Sequence, residues 1–133
     1  MTHGGGWMNY DNLPQKADKL ILGSHLSISG GLHRALEEAF SLGCFAVQIF
    51  TKNASTWREK TLSRTEINKF NMAREKTDIK AVAVHTAYLI NLAAKDPAIR
   101  EKSEAALKQE LVRCGQLDVP WLILHPGSHM GDG

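Results

Sequence analysis

Three histidines occupy equivalent places in the chain. His25 follows the apolar run of "KLILGSH", His85 closes "IKAVAVH" and His125 closes "WLILH". A fourth apolar run, "CFAVQIF", leads into the polar triplet Thr51-Lys52-Asn53. Imidazole nitrogen suits zinc, so histidines brought together from separate segments are candidates for a metal centre. A hydrolytic zinc site ordinarily adds carboxylates and keeps a position open for water. Carboxylates are missing at these places: Asp11, Asp18, Asp78 and Asp96 fall in loops or caps, and nearly all the glutamates fall in helical segments. Asp132 is close in sequence to His125 but belongs to an untethered tail. A lone histidine at a strand end is more often a hydrogen-bonded structural residue than a ligand. Recurrence at three run ends favours a shared, functional mouth, though one with only half of a metal shell.

The other chemistry-bearing residues carry less. His3 lies in a Gly-rich leader, His33 on an exposed helix face, and His129 in a loop after Pro126-Gly127. Trp57 and Tyr88 are isolated aromatics near loops; either could stack on a base or sugar, or simply pack. Cys44 and Cys114 border apolar segments with neither the number nor the spacing of a secreted scaffold, and read as buried free thiols.

The segments between these residues must bring them together. "GGLHRALEEAFSLG" sets Leu32, Ala35, Leu36, Ala39 and Phe40 at helical spacing, with Gly43 as a stop. "SRTEINKFNMAREKTD" opens with Ser63 and Glu66 at capping-box spacing and puts Ile67, Phe70 and Ala73 on one side. "DPAIREKSEAALKQELVRCGQL" offers Asp96 as N-cap, Pro97 in the first turn, and Ile99, Ala106, Leu107, Leu111 and Cys114 along one face. The order is therefore β-α-β-α-β-α-β. Its strands are continuous apolar runs, the mark of a parallel sheet buried on both faces. An open doubly wound sheet and part of a (β/α)₈ barrel both fit. No G-x-G-x-x-G follows the first run and "GSHLSISGG" is not a phosphate-binding P-loop, so the nucleotide-binding open sheets lose weight. A complete barrel takes about 250 residues, and the chain has 133. In either architecture the strand tips share one side, where ligands bind.

The remaining bounds are mild. A formal charge of +2 is compatible with a phosphate-bearing partner without arguing for one. With 23% charged residues there is no case for disorder. No apolar stretch reaches the roughly 18 residues of a bilayer span, and the first nineteen residues read as a flexible leader without an export signal. The expectation is a chain that is soluble, cytoplasmic and without a membrane partner.

Four strings, "GSHLSISGGL", "FTKNASTW", "HTAYLINLA" and "HPGSH", stand in the order and approximate spacing of the N-terminal half of the endonuclease IV family, the zinc-dependent AP endonucleases of base excision DNA repair. The resemblance spans about residues 20 to 130. It implies an α/β fold, the N-terminal half of a (β/α)₈ TIM barrel: about four parallel strands with three intervening helices, residues 1–19 a leader and 20–133 a partial barrel. It implies hydrolysis of the phosphodiester 5′ to an abasic site in double-stranded DNA, leaving a 3′-hydroxyl and a 5′-deoxyribose phosphate, with three zinc ions per complete enzyme. Carried onto this chain, His85 and His125 match zinc ligands. Tyr88 and Leu89 match residues that press into the DNA at the lesion, Lys52 and Asn53 fall in a loop that meets DNA, and His25 lines the mouth.

Two departures follow. Ala54-Ser55-Thr56 stands where some members place a longer side chain that probes the DNA stack. The family's later carboxylates and histidines, including a segment like C-x-D-T-C-H, have no counterpart, so no catalytic set is complete here. The resemblance thus implies an N-terminal fragment, inactive alone and binding zinc weakly at most. A different reading is a non-catalytic half-barrel that self-associates or pairs with a separate second half, because four βα units expose two sheet edges and an inner face. Sugar isomerases and epimerases of the related xylose isomerase-like group also hold metal at strand tips, but "HTAYLINLA" followed by "HPGSH" argues against that chemistry.

Overall fold

The computed structural model describes residues 20–131; the leader, with His3, Asp11 and Asp18, and the tail residue Asp132 lie outside them. Seven elements alternate: β1 (Gly23–His25), α1 (Leu32–Ser41), β2 (Ala46–Ile49), α2 (Arg64–Thr77), β3 (Ala81–His85), α3 (Pro97–Gln116) and β4 (Trp121–Ile123). The strands form one parallel sheet in the order β1-β2-β3-β4. A doubly wound sheet reverses its strand order at a switch point, whereas a barrel adds each strand beside the last. The sequential order therefore decides between the two architectures left open by the sequence: these are four consecutive strands of a barrel.

The helix termini follow local chemistry. Gly43 takes φ +74° just past the end of α1, a conformation that favours glycine. Asp96 accepts a hydrogen bond from the Ala98 N–H at 2.8 Å, with Pro97 opening α3. At α2 the capping box is complete, Ser63 Oγ accepting from the Glu66 N–H and Glu66 Oε2 accepting from the Ser63 N–H. Lys60, 2.6 Å away, and the Ser63 N–H hold the Glu66 carboxyl down to about 2, from an ordinary value of 4.5. A carboxyl depressed in the folded state stabilises the fold above its unfolded value and loses that contribution as the pH falls. Glu66→Gln, which keeps the cap's geometry, should therefore flatten the acid limb of a stability–pH curve between 4.5 and 2. A third of the side chain faces solvent, so the expected difference is about 1 kcal/mol. Superimposable curves from urea titrations across that range would refute it.

Among the described residues the sheet is covered on one face only. Val47, Ile49, Val82 and Val84 point toward the helices and join Leu32, Leu36, Phe70, Ile79, Leu117 and Val119 in one core. The alternate positions face the other way: Gly23 and His25, Ala46 and Gln48, Ala81 and Ala83, and Trp121 line an open trough. Trp121 is 52% and Ile123 43% exposed. The expected burial on both faces is thus corrected: among the described residues only the helix-facing side is closed. Leu20, Ile21 and Leu22, part of the first apolar run, lie before β1 and are exposed. Small residues keep the trough floor close: a Cβ at Gly23 would fall 2.1 Å from the Ala46 carbonyl oxygen.

Two helix faces differ from their expected patterns. Phe40 of α1 is 58% exposed. On α3, Ala106 and Cys114 are buried as expected, but Leu111 is exposed and Ser103, Glu110 and Arg113 take the inward positions. Cys114 is a free thiol pushed up to about 11, chiefly by burial and then by the Glu110 carboxylate, so it stays protonated and unreactive near neutrality.

Candidate functional site

The register of the sheet makes a mouth out of separate strands. His25 pairs laterally with Gln48, Gln48 with Ala83, and Ala83 with Trp121. His85, at the end of β3, pairs with Ile123, two residues before His125. Side chains alternate along a strand, so His25, Phe50, His85 and His125 all fall on the trough side, at its C-terminal rim. Their rings are contiguous. His85 lies 5.1 Å from His125, 5.5 Å from Phe50 and 6.0 Å from His25, centroid to centroid, and Phe50 lies 4.5 Å from His25. The three histidines singled out from spacing therefore do converge.

Their chemistry differs. His85 is buried, and its Nδ1 bonds the Thr86 carbonyl oxygen at 2.8 Å. A carbonyl only accepts, so Nδ1 carries the proton and Nε2 is the nitrogen left with a lone pair, the arrangement of a metal-ligating imidazole. His125 is exposed beside it. His25 is engaged by the Gln48 side-chain amide at 2.7 Å, and its pKa is lowered, first by burial and then by repulsion from His85. Zinc suits the His85–His125 pair in donor type, as part of a shell. Among the described residues no group of three or more His, Cys, Asp or Glu is arranged to hold a metal, so the pair does not by itself close a site.

Around the rim stand two loops. Tyr88 is 68% exposed and its ring meets Phe50 nearly edge-on at 5.1 Å, with His85 at 6.1 Å. Leu89 beside it is half-buried, and Asn53 on the neighbouring loop is exposed. The loops are joined where the Tyr88 N–H donates to the Ala54 carbonyl at 3.0 Å. Lys52, on the same loop as Asn53, is turned inward. It is 3% exposed, and its ammonium donates to the Thr56 carbonyl at 2.5 Å with Glu59 at 3.9 Å. The charge is turned under its own loop, holding residues 52–56 in shape. Trp57 is half-buried, and His33 lies between α1 and α2, away from the mouth.

Two residues of the mouth escape attention in the sequence. Phe50 touches His25, His85 and Tyr88 at once; its place at a strand tip, two residues from Gln48, was the available signal. Asn91 clamps the turn after β4. Its Oδ1 accepts from the Ser128 N–H at 3.0 Å and the Ala93 N–H at 3.1 Å, while Nδ2 donates to the Ser128 carbonyl at 3.2 Å. Gly127 makes this possible, at φ +109° and with room for no Cβ, which would lie 1.9 Å from Asn91 Oδ1. Thr51, buried behind the mouth, is bonded to α3.

Comparison with known proteins agrees with this geometry. Residues 36–133 match the model of the xylose isomerase-like TIM barrel family. A probable endonuclease 4 of Chloroflexus aurantiacus is 47% identical over 111 residues, 84% of this chain and 39% of that protein. One from Citrifermentans bemidjiense is 41% identical over 113 residues, with 85% and 40% covered. The chain thus spans about two-fifths of the length of these curated relatives. Among solved structures, endonuclease IV from Thermus thermophilus superimposes with a TM-score of 0.74 at 36% identity, covering 80% of this chain and 41% of that one. A D-psicose 3-epimerase reaches a TM-score of 0.56 at 16% identity, a likeness of fold alone. A parallel sheet in barrel order, a mouth at its strand tips and a family match over most of its residues place this chain in the xylose isomerase-like TIM barrel family, where it matches the N-terminal half of the endonuclease IV barrel.

Proposed function

We propose that this chain supplies the first half of a zinc-dependent AP endonuclease, which hydrolyses the phosphodiester 5′ to an abasic site in duplex DNA and leaves a 3′-hydroxyl and a 5′-deoxyribose phosphate. The observation that carries the reading is the contact of His85 and His125 at the strand tips, 5.1 Å apart, beside an exposed Tyr88. Zinc held there would polarise the phosphate and lower the pKa of a bound water. The chain's own residues do the rest of the work assigned to this half. His85, its tautomer set by the Thr86 carbonyl, offers Nε2 to the metal, and His125 offers a second nitrogen. Tyr88 and Leu89 form an apolar edge that can enter a base stack at the gap left by a missing base. Asn53 supplies an exposed amide to the backbone, on a loop that Lys52 braces from within.

Two imidazoles do not make a catalytic centre, so the 133 residues alone are expected to bind zinc weakly and to give no incision of an abasic-site duplex above background. Clear zinc-dependent turnover by the purified monomer would overturn this. A second reading, a half-barrel that self-associates or pairs with a separate second half, is favoured by the exposed trough residues Trp121 and Ile123 and by the edges of β1 and β4, which are unpaired among the described residues. Light scattering on the same sample decides it: twice the monomer mass supports self-association, and a stable, monodisperse monomer counts against it.

A further inference from the structure

Behind the mouth, two charged residues of α3 are buried. Glu110 and Arg113 are each 1% exposed and lie three residues apart, nearly one turn, on the inward face. Charges survive such burial only when they are paired and their hydrogen-bonding capacity is met. Arg113 Nε donates to Thr51 Oγ1 at 2.7 Å, and its Nη1 donates to Glu59 Oε2 at 2.7 Å and to the Lys60 carbonyl at 3.2 Å. Nη2 lies 3.0 Å from Glu110 Oε2 as an ion pair off the hydrogen-bond axis. The Thr51 hydroxyl donates to Glu110 Oε2 at 2.6 Å, and Glu110 Oε1 accepts from the Ala87 N–H at 3.4 Å. With Lys52 beside Glu59, two cations and two anions balance.

The partners come from two separate loops. Thr51, Glu59 and Lys60 belong to the loop between β2 and α2, which carries Asn53; Ala87 belongs to the loop between β3 and α3, which carries Tyr88 and Leu89. We infer that the Glu110–Arg113 pair, acting through Thr51, is a positioning device that locks these two loops into one rigid unit and so fixes the spacing of Asn53 and Tyr88 at the mouth. Low-dielectric surroundings strengthen each of these bonds and make the network cooperative, so one break should release both loops. The coupling of the loops stands on these contacts; its consequence for binding DNA rests on the function proposed above.

Hydrogen–deuterium exchange on the full 133-residue chain tests the coupling. Thr51→Val keeps the buried volume and removes the hydroxyl; Thr51→Ser restores it. In Thr51→Val, amides of residues 53–60 and 86–90 should exchange at least tenfold faster, together, since about tenfold is expected from losing even one of the two buried hydrogen bonds that the Thr51 hydroxyl makes. Amides of β2 and β3 should keep their protection, and Thr51→Ser should return both loops to within about twofold of the parent. If Thr51→Val does not fold, Glu110→Gln is read in the same way. Acceleration in one loop only, acceleration of the strands along with the loops, or no rescue by serine would each overturn the proposal. Fluorescence anisotropy with a duplex carrying one abasic site reads the consequence: a roughly tenfold weaker Kd in Thr51→Val, recovered in Thr51→Ser. If the parent chain shows no binding to that duplex, the DNA reading fails, while the exchange result still decides the coupling.

Discussion

Arg113→Met is expected to lower the unfolding free energy by about 3–5 kcal/mol, the cost of leaving a buried carboxylate without its partner. The replacement fills similar space with apolar atoms, so packing is nearly kept and the loss is electrostatic. Glu110, 1% exposed, would lose its ion pair; Thr51 would lose a donor, and Glu59 and the Lys60 carbonyl their shared one. Domains of this size have a total stability of about 5–15 kcal/mol, so the loss is a large part of the total. Urea denaturation followed by far-UV circular dichroism measures this. Two comparisons make the result interpretable. Leu111→Ala, two residues away on α3 but 54% exposed, should cost under about 1 kcal/mol. Glu110→Leu combined with Arg113→Met removes both charges, and should cost less than the single change. A loss below about 1 kcal/mol in Arg113→Met would mean that water reaches the network, and the buried pair would not be what holds the loops.

Phe50→Ala should disturb the mouth more than any other rim substitution outside the two candidate ligands. Its ring is the common neighbour of His25, His85 and Tyr88, at 4.5, 5.5 and 5.1 Å. A fully buried Phe→Ala costs about 3–5 kcal/mol; Phe50 is half-buried, so about 2–3 kcal/mol is expected. The more telling readout is local. Without the ring, His25 and His85 lose a packed neighbour and a ring current, and Tyr88 loses the edge-to-face contact that fixes its side chain. The Cε1–H resonances of His25 and His85 should move and broaden, while that of His33, held between α1 and α2, should not. Phe50→Leu, retaining apolar volume, should recover most of the stability without restoring those resonances. Unmoved His25 and His85 signals in Phe50→Ala would remove Phe50 as an organiser of the mouth.

Much of this site was legible before any fold was known, and for a definite reason. Apolar runs bounded by glycine and polar residues mark strands, and the alternation of side chains along a strand is a fixed geometric period. His25, His85 and His125 at run ends therefore announce a shared rim as soon as the strands are parallel. The caps at Ser63 and Asp96 are equally local, since a cap residue meets partners two or three positions away.

Where the reading of the residues stopped, the deciding contacts span long stretches of chain. The inward stripe of α3 was read from its apolar residues, giving Leu111 a core position that Glu110 and Arg113 in fact share with Ser103, Ala106 and Cys114. Nothing near Glu110 in sequence distinguishes a buried carboxylate from a solvated one. Its partner Thr51 lies 59 residues away, and Arg113 meets Glu59 across 54. Lys52 likewise looks like any loop cation until the Thr56 carbonyl and Glu59 turn it inward. By itself the sequence determined the elements, the parallel sense of the strands and the histidines at the rim, because propensity, caps and side-chain alternation are local, whereas the lateral strand order came from the fold. Only the tertiary structure decided which face is covered and which charges are buried to brace the mouth, because desolvation and pairing depend on what the rest of the chain places nearby.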